Sequence, residues 1–219
     1  EIGSGTFNRS YRSSVGMGSI VTRFNIHPSV STQSLHLEQW VNNEAIARGF
    51  PTPRIVHVDT SRIHSKYSFQ LIEWSDGVPL RAVSEETVRK VLSQLGRELR
   101  KLHDKPIGDR FGRVGLGLLP DWDCFIMNEI SDHLSYCWEH NLINKEQKEA
   151  IGTYFQSIFV CGQPFLLHGD LSYDNILIDG KTQDLKAVID WEDSVLGDPI
   201  FELAGLATFH PIERHASFI

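Results

Sequence analysis

The segment His168-Gly169-Asp170-Leu171-Ser172-Tyr173-Asp174-Asn175 places a carboxylate and, five residues on, a carboxamide between the apolar runs 165–167 and 176–178. A strand that enters a polar loop and leaves as another strand holds Asp170 and Asn175 at the mouth of a rigid scaffold. Fifteen residues after Asn175, the apolar run 187–189 delivers Asp190, followed by Trp191 and Glu192. A turn at Asp179-Gly180 would pair the two runs as a hairpin and bring Asp190 back toward Asn175. Transfer of a γ-phosphoryl group needs hard oxygen ligands for a divalent metal on the phosphates and a carboxylate near the attacking hydroxyl. Asn175 and Asp190 meet the first need, and Asp170 the second. His168 shapes this loop rather than reacting.

The elements around this stretch follow from periodicity. Residues 1–75 read mostly as strands, at 7–11, 20–24, 54–58 and 67–74, with glycine turns at Gly3, Gly5, Gly16 and Gly18. One helix interrupts them over 35–47, closed by Gly49 and the extended Pro51-Thr52-Pro53. After a turn at Asp76-Gly77 the period becomes helical. Ser84 is an N-cap, followed by Glu85 and Glu86, and Val88, Val91, Leu92, Leu95, Leu99 and Leu102 recur at three- and four-residue spacing. Two further helices are expected at 122–140 and 145–160, and short strands at 165–167, 176–178 and 187–189. The expected fold class is α+β: a small β-rich lobe at 1–75 and a larger, mainly helical lobe at 76–219.

Composition narrows the function classes. The chain has 219 residues, 21 Lys+Arg against 28 Asp+Glu, and a formal charge of −7, which disfavours a nucleic-acid binder held by phosphate neutralisation. The charge is segregated. Residues 1–75 carry 7 basic and 5 acidic side chains, whereas 121–202 carry 4 basic and 16 acidic ones and no arginine. That acidic segment suits a cationic or metal-bound partner. Cys124, Cys137 and Cys161 are too few and too scattered for a disulfide framework or a CxxC metal site, which points to the cytoplasm. The longest uncharged stretch, 150–169, is broken by Gln156, Gln163, Pro164 and His168, so no segment is expected to span a membrane. With a start at Glu1 rather than Met and no basic-then-apolar leader, the first residues are not expected to be the true start of the gene product.

The loop spacing matches the protein-kinase pattern of an Asp five residues before a metal-binding Asn and a later metal-binding Asp. More closely, His168-Gly169-Asp170 with Asn175, Val188-Ile189-Asp190-Trp191-Glu192, Gly197-Asp198-Pro199 and Glu202-Leu203-Ala204 resemble the aminoglycoside phosphotransferase and choline kinase superfamily. Leu99-Arg100-Lys101-Leu102-His103 resembles the end of that family's first large-lobe helix, and Gly49-Phe50-Pro51-Thr52-Pro53 its entry to a strand. Phe111-Gly112 followed by Trp122 is similar to a stretch in hygromycin B phosphotransferase-like members. The resemblance spans nearly the whole chain and implies a two-lobed kinase-like fold. It further implies Mg²⁺, ATP or GTP as donor, and a small-molecule hydroxyl as acceptor. Members run on past the Gly-Asp-Pro segment, so part of the acceptor pocket is expected outside this chain.

The resemblance also implies roles in the small lobe. Gly3, Ser4 and Gly5 would form a glycine-rich turn near the phosphates, since glycine allows close backbone approach. The third glycine of a dinucleotide fingerprint and the GxxxxGK[ST] of a P-loop are both lacking. Arg23 stands where kinase-like folds place a phosphate-binding lysine, and Glu38 is its expected partner, with Glu44 the competitor. Glu73 and Trp74 fall at the adenine-contacting hinge, where main-chain groups count most. Glu192 and Asp193 are candidates for holding the acceptor's ammonium or hydroxyls, or else form a solvated loop. Asp198 is read as structural, capping a helix or steadying the catalytic loop. His133, Cys137 and His140 have zinc-compatible spacing on one helical face. They also border the apolar stripe Trp122, Phe125, Ile126, Ile130 and Leu134, and core packing is the simpler reading. Two other functions stay open: a nucleotide-binding regulatory module without transfer, and a protein kinase. The second lacks an Ala-Pro-Glu after Asp190 and meets Gly197-Asp198-Pro199 too soon for a long activation segment.

Overall fold

The computed structural model describes residues 2–4, 8–16, 18–27, 31–155 and 161–209. An antiparallel sheet of five strands opens the chain: β1 (Gly3–Ser4), β2 (Asn8–Val15), β3 (Gly18–Asn25), β4 (Ile55–Asp59) and β5 (Phe69–Glu73), in the order β1-β2-β3-β5-β4. Helix α1 (Thr32–Ala47) crosses between β3 and β4. It starts earlier than its apolar pattern because the Ser31 side chain accepts the Ser34 N–H. Its buried face includes Glu38 and Asn42 among Leu35, Val41 and Ala45. Asn42 is consumed structurally, accepting from Ile55 N and donating to Pro53 O. Glu38 is turned toward the sheet.

The larger lobe is organised by α2 (Glu85–Leu102), capped by Ser84 as its sequence requires. Val88, Val91, Leu92, Leu95, Leu99 and Leu102 are all buried on one face. They pack in a single cluster with Leu166, Ile176, Ile178, Val188 and Trp191, so the helix forms the floor under the polar loop. Truncating one of these leucines to alanine should cost about 2–5 kcal/mol. Two small sheets complete the scaffold. One joins β6 (Val78–Pro79), β9 (Ile176–Ile178) and β10 (Leu185–Val188); the other joins β7 (Gly112–Arg113), β8 (Phe165–Leu167) and β11 (Val195–Gly197).

Helices α3 (Trp122–Glu139), α4 (Lys145–Phe155) and α5 (Pro199–Phe209) bring the total to five α-helices among the described residues. The expected extension of α4 over 156–160 lies outside them. Strands β6, β7 and β11 had no signal in the sequence, since two- and three-residue strands carry no periodicity. Packing of α3 corrects the expectation for its stripe. Trp122, Phe125 and Ile126 are fully buried, while Ile130 and Leu134 are half-buried along a cavity, Ile130 packing on the Trp122 and Phe125 cluster. His133 and His140 are exposed rather than in the core, and each ring Nδ1 bonds the carbonyl one turn back, of Glu129 and Tyr136.

Candidate active site

The β9–β10 hairpin sets Val188 opposite Ile176, and Ile189 N–H donates to Asn175 O at 2.9 Å. Asp190, one residue further, therefore stands beside the Asp170 loop. It takes a left-handed backbone, φ 71°, a conformation a non-glycine residue keeps only when its surroundings enforce it. Asn175 Nδ2 donates to Asp170 Oδ2 at 2.9 Å and to Asp170 O at 3.0 Å. This leaves Asn175 Oδ1 and one oxygen of Asp190 for other partners.

His168 is fully buried and links the two strands. Its Nε2 bonds Ile189 O at 2.9 Å, and its Nδ1 accepts the Asp170 N–H at 3.3 Å, which defines a neutral ring protonated at Nε2. Trp191 packs on that ring, with centroids 4.6 Å apart. Gly169 has φ 85°, and a Cβ there would lie 2.0 Å from Asp193 O, so only glycine lets the two loops meet.

The loop's anchor is Glu202 on α5. Its buried carboxylate accepts the N–H groups of His168 (2.9 Å) and Gly169 (3.1 Å) and meets His103 Nε2 at 3.2 Å. Asp198 does not reach the loop. It caps α5 by accepting Ile200 N–H at 2.9 Å. Both His103 and Glu202 belong to matched sequence segments, yet no local signal assigned either this task.

Across the cleft, Arg23 is buried and grips three side chains. It pairs with Glu38, donates to Gln70 Oε1 and reaches Asp190 Oδ1 at 2.8 Å. Glu38, not Glu44, is its helix partner. The adjacent carboxylates of Glu38 and Asp190 hold the Arg23 guanidinium firmly protonated against its burial. Gln70 supports the group from β5, donating to Leu35 O and Glu38; nothing in its sequence setting marked it.

Arg23, Glu38, Glu73, Trp74 and Asp190 line one cleft of about 260 Å³, together with Val21, Ile72, Leu177 and Ile189. Its walls are largely apolar; Arg23, Glu38 and Asp190 form one joined charged group, and Glu73 lies apart from it beside Arg54. Glu73 is tied to Arg54 through both backbone and side chain. The Trp74 Nε1 is buried without a hydrogen-bond partner among the described residues, and the Arg12 guanidinium sits 4.3 Å over its ring. Gly3 and Ser4 form β1, paired with Ser10 and Arg9; Gly5 lies outside the described residues.

Carboxylates crowd the other side. Burial, reinforced by the charges of Asp193 and Asp190, pushes the Asp170 carboxyl above its usual range. Partial burial and the neighbouring Asp190 push Glu192 up to about 7. Glu192 also accepts a 2.9 Å hydrogen bond from Asn8 Nδ2 across the cleft. Asp193 faces Arg113, whose Nη1 is 3.7 Å away. Excess negative charge at an amide and carboxylate oxygen set is the environment a hard cation relieves. Among the described residues no three His, Cys, Asp or Glu side chains form a self-sufficient metal cage. Mg²⁺ sites on nucleotides need none, because one or two protein oxygens act with the phosphates.

The profile of the phosphotransferase enzyme family matches residues 1–219. A curated relative, hygromycin-B 4-O-kinase of Escherichia coli, is 21% identical over 220 residues, 96% of this chain. The chain spans 62% of that relative's length. Among solved structures, aminoglycoside phosphotransferase APH(4)-Ia superposes with a TM-score of 0.75 at 18% identity, covering 99% of this chain and 75% of the other. A macrolide 2'-phosphotransferase of Brachybacterium faecium gives 0.69 at 16% identity, covering 98% and 72%. A ternary complex of APH(4)-Ia with AMP-PNP and hygromycin B gives 0.71 at 20% identity, covering 94% and 70%. These likenesses establish the two-lobed kinase-like fold.

Proposed function

The chain belongs to the phosphotransferase enzyme family, and on that premise we propose that it transfers the γ-phosphoryl group of ATP or GTP to a hydroxyl of a small, cationic acceptor. The observation that carries this reading is the convergence of Asp170, Asn175 and Asp190 at one hairpin mouth, facing Arg23 across an apolar cleft. Residues 1–75 serve as the nucleotide lobe and 76–219 as the catalytic and acceptor lobe. The base lies in the apolar cleft against the Glu73-Trp74 hinge. Arg23, steadied by Glu38, holds phosphate, and Gly3, Ser4 and Gly5 are the further candidates for contact with it.

Asp170 orients the acceptor hydroxyl and takes up its proton late in a loose transition state. Its carboxylate is aimed by the Asn175 amide and by a backbone that Glu202 and His168 hold in place. Asn175 Oδ1 and the Asp190 carboxylate are the hard oxygens that would hold Mg²⁺. When bound, the metal neutralises charge developing on the phosphates. Glu192 and Asp193 face the acceptor. Similar proteins are described in complex with ADP and hygromycin B or with GDP and kanamycin, which supports a nucleotide donor and an aminated acceptor. Three free cysteines and the lack of a helix long and apolar enough to cross a membrane, among the described residues, agree with action in the cytoplasm.

The test is a Mg²⁺-dependent transfer screen with ATP and GTP against aminoglycosides, hygromycin-like compounds, choline and amino sugars. Asp170→Ala should fold and bind nucleotide while losing about 100-fold or more in transfer. Undiminished turnover in that variant sinks the assignment, and nucleotide binding without turnover across the panel favours a regulatory module.

A further inference from the structure

A second cavity, of about 420 Å³, shares Glu38 with the nucleotide cleft and is walled by Asn8, Ser34, Arg113, Glu192 and Asp193. Glu38 is already neutralised by Arg23. The cavity's free negative charge therefore comes from Asp193 and, in part, Glu192, and its lining cation is Arg113, some of whose charge is offset by Glu129 outside the lining.

The position of Arg113 is set by backbone. It lies opposite Val195 in the β7–β11 pairing, and Val114 N–H donates to Ser194 O at 2.8 Å. From there its Nη2 donates to Glu129 Oε2 on α3 at 3.0 Å, while Nη1 stands 3.7 Å from Asp193 Oδ1. The first distance is a hydrogen bond; the second is an ion pair too long to be one. Asp193, about half exposed, thus keeps its acceptor sites for a ligand although much of its charge is balanced by a fixed guanidinium. An arginine cannot relieve repulsion by losing its proton. A ligand bringing one ammonium can use Glu192 and Asp193, whereas a ligand bringing several must set one against Arg113.

We propose that Arg113 is a specificity-determining residue of this cavity, admitting amines of low charge and excluding polycations. The inference rests on the reading that the cavity receives the acceptor. A built-in repulsive group is one of the two routes to discrimination between otherwise similar ligands.

Binding measured by calorimetry on the full chain with Mg²⁺ and AMP-PNP tests it, with glucosamine as the single-amine probe and neamine as the polyamine. Arg113→Met should bind neamine about tenfold tighter than the parent, a gain that closes as salt rises from about 0.02 to about 0.5 M. Glucosamine affinity should change less than about twofold, Arg113→Lys should behave as the parent, and Asp193→Asn should weaken both probes. Arg113→Gln is the second neutral variant should the methionine fail to fold. Unchanged or weaker neamine binding in the neutral variants, or no binding to any of these proteins, overturns the proposal. The predicted charge dependence without phosphoryl transfer would instead retain the cavity's selectivity and remove the acceptor reading.

Discussion

Arg23 Nη1 lies 2.8 Å from Asp190 Oδ1, joining side chains 167 residues apart across the cleft. The same guanidinium holds Glu38 and Gln70. An ammonium is a point charge on a flexible stem, whereas the planar fork presents several donors in fixed directions. Arginine at this position therefore ties the helix, the sheet and the hairpin mouth together through one group.

Removing that group should expose its structural role first. Arg23→Met leaves the Glu38 carboxylate buried without its partner, at an expected cost of about 3–5 kcal/mol. Adding Glu38→Leu should recover most of the loss in urea melts, since a buried pair replaced as a whole costs little. Nucleotide affinity, read with a fluorescent analogue, should stay weak in the double variant. Recovery of binding alongside stability would show that Arg23 does not contact phosphate.

Glu202 should act on turnover through the loop it holds. Glu202→Gln keeps the shape but replaces a charged acceptor of two backbone N–H groups, and should cost about 1–3 kcal/mol of stability. With Asp170 less well aimed, kcat should fall about 10- to 100-fold while KM for nucleotide stays nearly constant. A change confined to KM would contradict the positioning role. Glu202→Asp, which keeps the charge, should recover part of kcat.

At Gly169 an added methyl group meets a carbonyl rather than a yielding side chain. Gly169→Ala also forces a non-glycine residue into φ 85°, itself worth about 1–3 kcal/mol. Thermal unfolding should shift down by more than that strain alone implies, whereas Gly205→Ala, which meets no atom within 4 Å, should leave the midpoint unchanged or raise it.

Stability in acid should depend on Asp184. Its carboxyl is lowered to about 2 by the Lys90 ammonium and then by Gln94 and Thr182. A depressed folded value contributes stability that is complete above the unfolded value, about 4, and is lost as pH falls toward 2. The gap in urea midpoint between the parent and Asp184→Asn should thus be constant near neutrality and shrink between about pH 4 and 2. A gap that widens in acid would contradict this linkage.

Much of the fold was legible because its strongest signals are local. The heptad-like spacing from Val88 to Leu102 and the Ser84 cap predicted α2, and the observed burial is that of its apolar face. The apolar runs around Asp170, Asn175 and Asp190 likewise marked the hairpin that pairs Val188 with Ile176. Elements too short to show a period, β6, β7 and β11, were silent, and α3 showed that an apolar stripe does not oblige full burial, since Ile130 and Leu134 are half-buried along a cavity that α4 and α5 also line.

By itself, the sequence determined which groups could do chemistry and their order along the chain: a carboxylate, an amide five residues on, and a second carboxylate delivered by a strand. Local spacing suffices for this, since neighbours in a loop or on one strand stay neighbours in space. Only the tertiary structure decided which distant charges meet. It selected Glu38 over Glu44 as the partner of Arg23 and carried that arginine to Asp190. It gave the Asp170 loop to Glu202 while leaving Asp198 to cap a helix, and set Arg113 against Asp193. The physical reason is that a buried ion or hydrogen bond is chosen by the packing of separate elements, whose relative placement is encoded in no single stretch of residues.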